Sequence, residues 1–254
     1  MKLKNKEDIK QIKESGKILV SILHRLKGMS APGVNLLSLD KEARLILEDA
    51  GAKSAFFGYK PSGADHPYPA YICTSLNDQI VHGTPVDYSL KESDILSIDI
   101  GVNFKGYVTD SAFTFGIGKI SNENQRLLKS TKKSLENGIS ALKVGNTLGD
   151  IGYEIEKQIN KDGFKLINGL TGHGVGFDLH EEPTVYNYGE PGSGLKLQPG
   201  MVLAIEPMAS ISSDRIIMKD DESYGTSDGS ISAHFEKTVA VTEDGYEVMT
   251  PWEL

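Results

Sequence analysis

Cysteine is nearly absent: Cys73 stands alone among 254 residues. No intrachain disulfide can form, which removes the small disulfide-stapled folds and fits a reducing compartment. Long apolar runs are missing as well, and none approaches the ~20 residues that a membrane span needs. The opening "MKLKNKEDIKQIKESGKILVSILHRL" mixes charge through its length where a signal peptide has a continuous apolar core. The cytoplasm is therefore the expected location, with no membrane partner. A basic excess is lacking too: 27 Lys and Arg against 35 Asp and Glu leave a net charge of −8, which argues against a nucleic-acid-binding face. Serine-nucleophile hydrolysis is not the expected chemistry.

What is present is a strand pair with two aspartates. In "DILSIDIGVNFKGYVTDSAFTF", residues 94 to 115, Leu96, Ile98, Ile100 and Val102 alternate with Ser97, Asp99, Gly101 and Asn103. That is the period of a half-buried strand, with Asp99 on its polar face. The following segment is rich in Tyr, Val, Thr and Phe, and Asn103 to Gly106 carries turn residues, so a hairpin is expected. With the reversal centred between Phe104 and Lys105, Asp99 falls directly opposite Asp110. Like charges so placed repel, and either a shared proton or a cation must offset them. A register one residue off instead leaves two solvated surface aspartates.

Around this hairpin the pattern predicts an amphipathic helix over about Lys6 to Lys27, capped by Asn5 and broken by Pro32-Gly33. A second helix is expected from Leu39 to Asp49 with Ser38 as cap, then a strand over Tyr71 to Ser75. Two further helices are expected, one from Asn122 and one in "LGDIGYEIEKQINKDG" ended by Gly163. The "MVLAIEPM" and "SISAHFEKTVAV" segments read as strands, with a turn at 243 to 245. Helices and strands come in successive groups, the mark of an α+β fold. Glycine is abundant, 27 residues, and clusters around His173 in "GLTGHGVGFDLHEEP". The G-x-G spacing there lacks the strand-to-helix context of a dinucleotide loop.

Five potential metal ligands emerge: Asp99, Asp110, His173, Glu206 and Glu236. Singly, each glutamate reads as an edge or solvated strand residue, and His173 as a loop histidine. Together, four carboxylates and one imidazole suit a pair of divalent ions such as Mn²⁺, Fe²⁺ or Co²⁺, with Zn²⁺ tolerable.

"CTSLNDQIVHGTP" at 73 to 85, "SIDIGVNFKGYVTD" at 97 to 110, "TGHGVGFDLHEEP" at 171 to 183, "AIEPM" at 204 to 208 and "FEKTVAVTEDG" at 235 to 245 resemble, in order, the type I methionine aminopeptidases. The resemblance covers nearly the whole chain. It implies the pita-bread fold, two pseudosymmetric halves with a central antiparallel sheet flanked by helices, as one metallopeptidase catalytic domain over residues 1–254. The short His173–Glu206 and Glu206–Glu236 separations leave no room for the helical insertion of type II enzymes. No zinc-binding extension is expected ahead of the domain.

Carried over by position, Asp99 would chelate one of two divalent ions (Co, Mn, Fe or Zn), and His173 and Glu206 the other. Asp110 and Glu236 would bridge them, with a hydroxide between the ions as nucleophile. Glu206 would shuttle the proton to the leaving amine, His180 would bind the substrate carbonyl or oxyanion, and His82 the scissile amide. Tyr68, Cys73 and Leu179 fall at side-chain pocket positions. The implied activity is removal of N-terminal methionine before a small second residue. The expected partners are N-termini of nascent polypeptides, with the ribosome as docking site, and the expected state is a monomer. The chain departs from the family pattern in having Leu179 for an aromatic residue, Asp65 for tyrosine, Glu222 for tryptophan and Lys237 for histidine. The competing readings are an Xaa-Pro peptidase of the same fold and a non-catalytic binding protein of that fold.

Overall fold

The structure, a computed structural model, describes residues 1–60 and 65–253. The chain opens with α1 (Lys6–Met29) and α2 (Leu36–Asp49), followed by β1 (Lys53–Ser54), β2 (Cys73–Leu76), β3 (Gln79–Val81), β4 (Ile95–Phe104) and β5 (Tyr107–Gly116). Two more helices, α3 (Asn122–Ser140) and α4 (Leu148–Asp162), precede β6 (Lys165–Leu166), β7 (Gly172–Gly174), β8 (Glu181–Val185) and β9 (Val202–Ile205). The remainder is β10 (Met208–Ser210), β11 (Ile216–Met218), β12 (Tyr224–Thr226), β13 (Ser232–His234), β14 (Lys237–Thr242) and β15 (Gly245–Val248). Two helices followed by strands thus occur twice, as the α+β reading expects.

Local chemistry explains the helix ends. Asn5 accepts from the amides of Glu7 and Asp8 while the Asp8 carboxylate accepts from the Asn5 amide, a reciprocal cap on α1. The second helix starts earlier than its Ser38 signal: Asn35 caps it through the Leu37 amide, because Leu36 belongs to the buried stripe with Leu39, Ala43 and Leu47. Gly163, at φ 83°, closes α4 in the left-handed conformation.

Every strand pair among the described residues is antiparallel. Strand β4 pairs with β5 on one edge and with β1 and β2 on the other, while β15-β14-β9-β7-β8 form a second sheet. The two meet where β5 faces β14. The Asp110 amide donates to Thr238 Oγ1 at 2.9 Å, Thr238 Oγ1 donates to the Asp110 carbonyl at 2.7 Å, and the Glu236 amide donates to the Ala112 carbonyl at 2.8 Å. Ser111 Oγ donates to the Glu236 carbonyl, and the fully buried Trp252 indole donates to both Ser111 Oγ and that carbonyl. This seam fixes Asp110 and Glu236 relative to each other.

The hairpin register differs from direct opposition of the aspartates. Phe104 pairs with Tyr107, so the reversal is centred between Lys105 and Gly106, both in the left-handed region at φ 55° and 88°. This is the geometry that two-residue hairpin turns require. Gly101 therefore opposes Asp110, and Asp99 opposes Ala112. Moving the turn centre by one residue slides the partner strand by two, which preserves the face. The aspartates are diagonal neighbours on one face. Nor is that face solvated: Ser97 and Asp99 are buried, at 4% and 9% exposure, because the second half covers them.

Helix α1 packs closely on the C-terminal segment. A Cβ added at Gly16 would lie 2.0 Å from the Met249 carbonyl oxygen. Alanine gains up to about 1 kcal/mol of helix propensity over glycine, whereas overpacking costs about 1–3 kcal/mol. Gly16→Ala is therefore expected to destabilise the protein despite its better propensity, read as a lower urea midpoint; an unchanged or higher midpoint would show that the C-terminal segment yields freely.

Candidate metal centre

Five side chains from both halves converge. Asp99 comes from β4, Asp110 from β5 and His173 from β7, while Glu206 follows β9 and Glu236 lies between β13 and β14. Asp99, Asp110 and His173 project from within their strands, whereas Glu206 and Glu236 lie just outside strand ends. Asp99, Asp110, Glu206 and Glu236 are all buried, and His173 half-buried. Ligand atoms of Asp110, His173 and Glu236 lie within 4.8 Å of one another. His173 Nε2 is 3.4 Å from Glu206 Oε1 and 3.8 Å from Asp110 Oδ2. Its Nδ1 lies 2.8 Å from the Gly174 carbonyl oxygen, to which it donates. That bond directs the Nε2 lone pair into the cluster, the usual setting of a metal-bound imidazole.

No lysine or arginine pairs with these carboxylates among the described residues; their ion-pair contacts are to histidines. Oδ1 of Asp99, Oδ1 of Asp110 and Oε1 of Glu236 are buried with no hydrogen-bond partner. Burial pushes the Asp110 carboxyl up to about 7. Asp99, Glu206 and Glu236 rise well above the ordinary carboxylate range, through burial first and then the negative charge of Asp110. Burial, with His180 second, pushes His173 down to about 3. A buried, acidic, oxygen-rich cluster with orphaned acceptors fits divalent cations.

His180 sits beside the cluster, its ring 4.4 Å from that of His173 and its Nδ1 2.7 Å from the Tyr59 hydroxyl. His82 follows β3 with φ 63°, a conformation that non-glycine residues adopt at some cost. Its ring meets Tyr224 edge-on at 5.9 Å. Cys73 opposes Asp99 across β2 and β4 and shares one apolar cluster with Phe56 and Leu179, against which Tyr59 and Tyr68 pack. The pocket positions therefore adjoin the carboxylates.

Asp65 is exposed, and the tyrosine whose hydroxyl meets His180 is Tyr59. Glu222 is an exposed turn residue between β11 and β12, at φ 62°, and Tyr224 supplies the aromatic ring beside His82. Lys237 places Nζ 4.2 Å from the Trp252 ring, a cation–π contact. Sequence reasoning missed His234, which is 2% exposed with Nε2 3.5 Å from Glu206 Oε2. Its spacing of two from Glu236 was the available signal. The G-x-S-x-G spacing at residues 225–229 is no nucleophile elbow: β12 ends at Thr226 with no helix after it, and Ser227 Oγ bonds Ser213 Oγ.

The model of metallopeptidase family M24 matches residues 10–243. The chain is 42% identical to a methionine aminopeptidase of Clostridium perfringens over 249 residues, 98% of each protein. It superposes on the crystal structure of methionine aminopeptidase from Thermotoga maritima with a TM-score of 0.94 and 36% identity, covering 100% of both chains. Prolidase from Pyrococcus furiosus superposes with a TM-score of 0.80 over 99% of this chain and 66% of its own, at 21% identity, a likeness of fold. With the α+β architecture described above, these likenesses establish the pita-bread fold.

A carboxyl whose pKa is raised by folding destabilises the fold while ionised, and that stability returns as pH falls through the folded value. The buried histidines oppose this only below their ordinary value of 6.5, where the unfolded chain takes up protons that His173 and His234, both near 3 when folded, refuse. The melting temperature of chelator-treated protein is thus expected to rise as pH falls from about 8.5 to about 7. Added Mn²⁺ should erase that rise, because a cation offsets the repulsion at every pH. A flat calorimetric profile over that interval without metal would refute the repulsive cluster.

Proposed function

Because the chain belongs to metallopeptidase family M24, we propose that it is a dinuclear metal-dependent aminopeptidase removing methionine from the N-termini of peptides and nascent proteins. The observation that carries this reading is the convergence of four buried carboxylates and the His173 Nε2 lone pair beside the apolar cluster of Cys73, Tyr68 and Leu179. Two divalent ions (Mn, Co, Fe or Zn) match the four carboxylates in charge. Asp99 would hold one, His173 and Glu206 the other, and Asp110 and Glu236 both. When bound, they supply Lewis-acid polarisation of the scissile carbonyl and a lowered pKa for water.

The remaining roles belong to the chain. With the Tyr59 hydroxyl donating to Nδ1 of His180, the other ring nitrogen carries the hydrogen and donates to the substrate carbonyl oxygen as negative charge develops there. His82, exposed and close to Tyr224, contacts the scissile amide. Glu206, ionised when it holds a cation, would take up a proton from the attacking water and pass it to the leaving amine. Tyr59, Tyr68, Cys73 and Leu179 shape a pocket for a flexible, unbranched thioether side chain. Burial holds the Cys73 thiol well above its ordinary pKa, so it packs and does not attack. We place this activity in one catalytic domain over residues 1–254, acting in the cytoplasm as a monomer on chains with a small second residue. Nascent chains would be met at the ribosome. No described helix is long and apolar enough to cross a membrane.

Metal-free protein reconstituted with Mn²⁺ or Co²⁺ is expected to release methionine from Met-Ala-Ser and to leave Leu-Ala-Ser and Ala-Pro-Ser intact. Cleavage of the proline peptide instead would move the assignment to an Xaa-Pro peptidase. Asp110→Asn should cost more than the 10–100-fold typical of losing a residue that supports a ligand. Its metal-free form should melt no lower than the parent, since one repelling charge is gone. A fully active Asp110→Asn variant would sink the dinuclear mechanism.

A further inference from the structure

Glu206 lies between two imidazoles, one at each carboxylate oxygen. Oε1 is 3.4 Å from Nε2 of His173, and Oε2 is 3.5 Å from Nε2 of His234. The histidines differ in what their second nitrogen does. His173 commits Nδ1 to the Gly174 carbonyl, so its Nε2 presents a lone pair. His234 has no hydrogen-bond partner at either nitrogen, although it is only 2% exposed. A fully buried imidazole without partners is costly, and Glu206 Oε2 is the carboxylate oxygen beside it. Were His234 Nε2 bare, two acceptors would face each other in a desolvated site.

The backbone leaves His234 little freedom to turn elsewhere. It pairs with Met208 across β10 and β13, its amide donates to Thr114 Oγ1 at 2.8 Å, and its carbonyl accepts from the same hydroxyl at 2.8 Å. Glu206 is anchored from its own main chain, where Asn187 Nδ2 donates to its carbonyl at 3.0 Å. Closing the 3.5 Å gap to an ordinary hydrogen bond near 2.9 Å needs only a small rotation of the glutamate side chain. His234 also stands outside the mutually close ligand atoms of Asp110, His173 and Glu236.

We propose that His234 is a positioning residue for Glu206: its Nε2–H holds Oε2, which keeps Oε1 turned toward His173 and the ion those two would share. The assignment rests on the metal-site reading given above. It makes Glu206 a ligand on one oxygen and a hydrogen-bonded carboxylate on the other, the arrangement by which ligating carboxylates are commonly held in place.

The test is Mn²⁺ titration of metal-free protein by electron paramagnetic resonance, which counts free ion independently of turnover. His234→Leu should weaken the Mn²⁺ site that His173→Ala abolishes by about 10–100-fold. His234→Gln, whose amide N–H reaches a similar point, should stay within about threefold of the parent. At saturating Mn²⁺, His234→Leu should lower kcat with little change in KM for Met-Ala-Ser, since His234 touches Glu206 and no substrate group. Parental affinity in His234→Leu, or equal weakening in both variants, overturns the proposal, because packing alone would then explain the site. Should the leucine variant fail to fold, ¹⁵N spectra of the parent decide, with the His234 signal identified by its loss in His234→Gln. A hydrogen on Nε2 supports the proposal, and a bare Nε2 overturns it. A parent protein that binds Mn²⁺ but releases no methionine defeats the aminopeptidase reading and leaves the His234 assignment standing. One that binds no Mn²⁺ defeats both.

Discussion

Four carboxylates are buried at the junction of two sheets, with no lysine or arginine beside them among the described residues, and the structure is organised around that repulsion. Asp110 and Glu236 place oxygens within 4.8 Å of each other. At an effective dielectric of ~20, one such pair costs about 3–4 kcal/mol when both are ionised. A whole domain is stable by only about 5–15 kcal/mol. Burial first, and for Asp99, Glu206 and Glu236 the neighbouring carboxylates after it, raise these carboxyl pKa values, and burial also orphans several of their oxygens; both point to cations as the missing partners.

The scaffold must hold these groups against their repulsion, and the seam between β5 and β14 does so with neutral hydrogen bonds. Thr238 bonds both the amide and the carbonyl of Asp110, and Ser111 and Trp252 bond the Glu236 carbonyl. The backbones of Asp110 and Glu236 are thereby fixed by groups that carry no charge and compete for no cation. The aromatic residues around the cleft act similarly on the histidines: Tyr59 orients His180 through its hydroxyl, and Tyr224 backs His82. Lys4, buried against Glu181 at 2.6 Å, ties the N-terminal segment to the residue next to His180.

Much of this was legible in the chain. The α1 cap at Asn5 follows from side-chain chemistry confined to one turn, and so does the α4 stop at Gly163. The alternation in β4 correctly put Asp99 and Asp110 on one face, even though the turn lies one residue later than its composition suggested. What misled the reading was nonlocal. Asn35 caps α2 because burial of Leu36 lengthens the helix, and the polar face of β4 is buried because the second half packs over it. Nor could the linear order show that the aromatic rings beside His180 and His82 are those of Tyr59 and Tyr224.

The sequence by itself determined the types of the candidate ligands, their order along the chain and the parity that sends paired strand residues to one face, because each depends on residue identity and the fixed period of a strand. Only the tertiary structure decided that the carboxylates are desolvated, that His173 presents its Nε2 lone pair inward and that His234 faces Glu206. Those properties arise from atoms far apart in the chain. Desolvation and hydrogen-bond direction depend on which segments close over a group, and no local pattern carries that information.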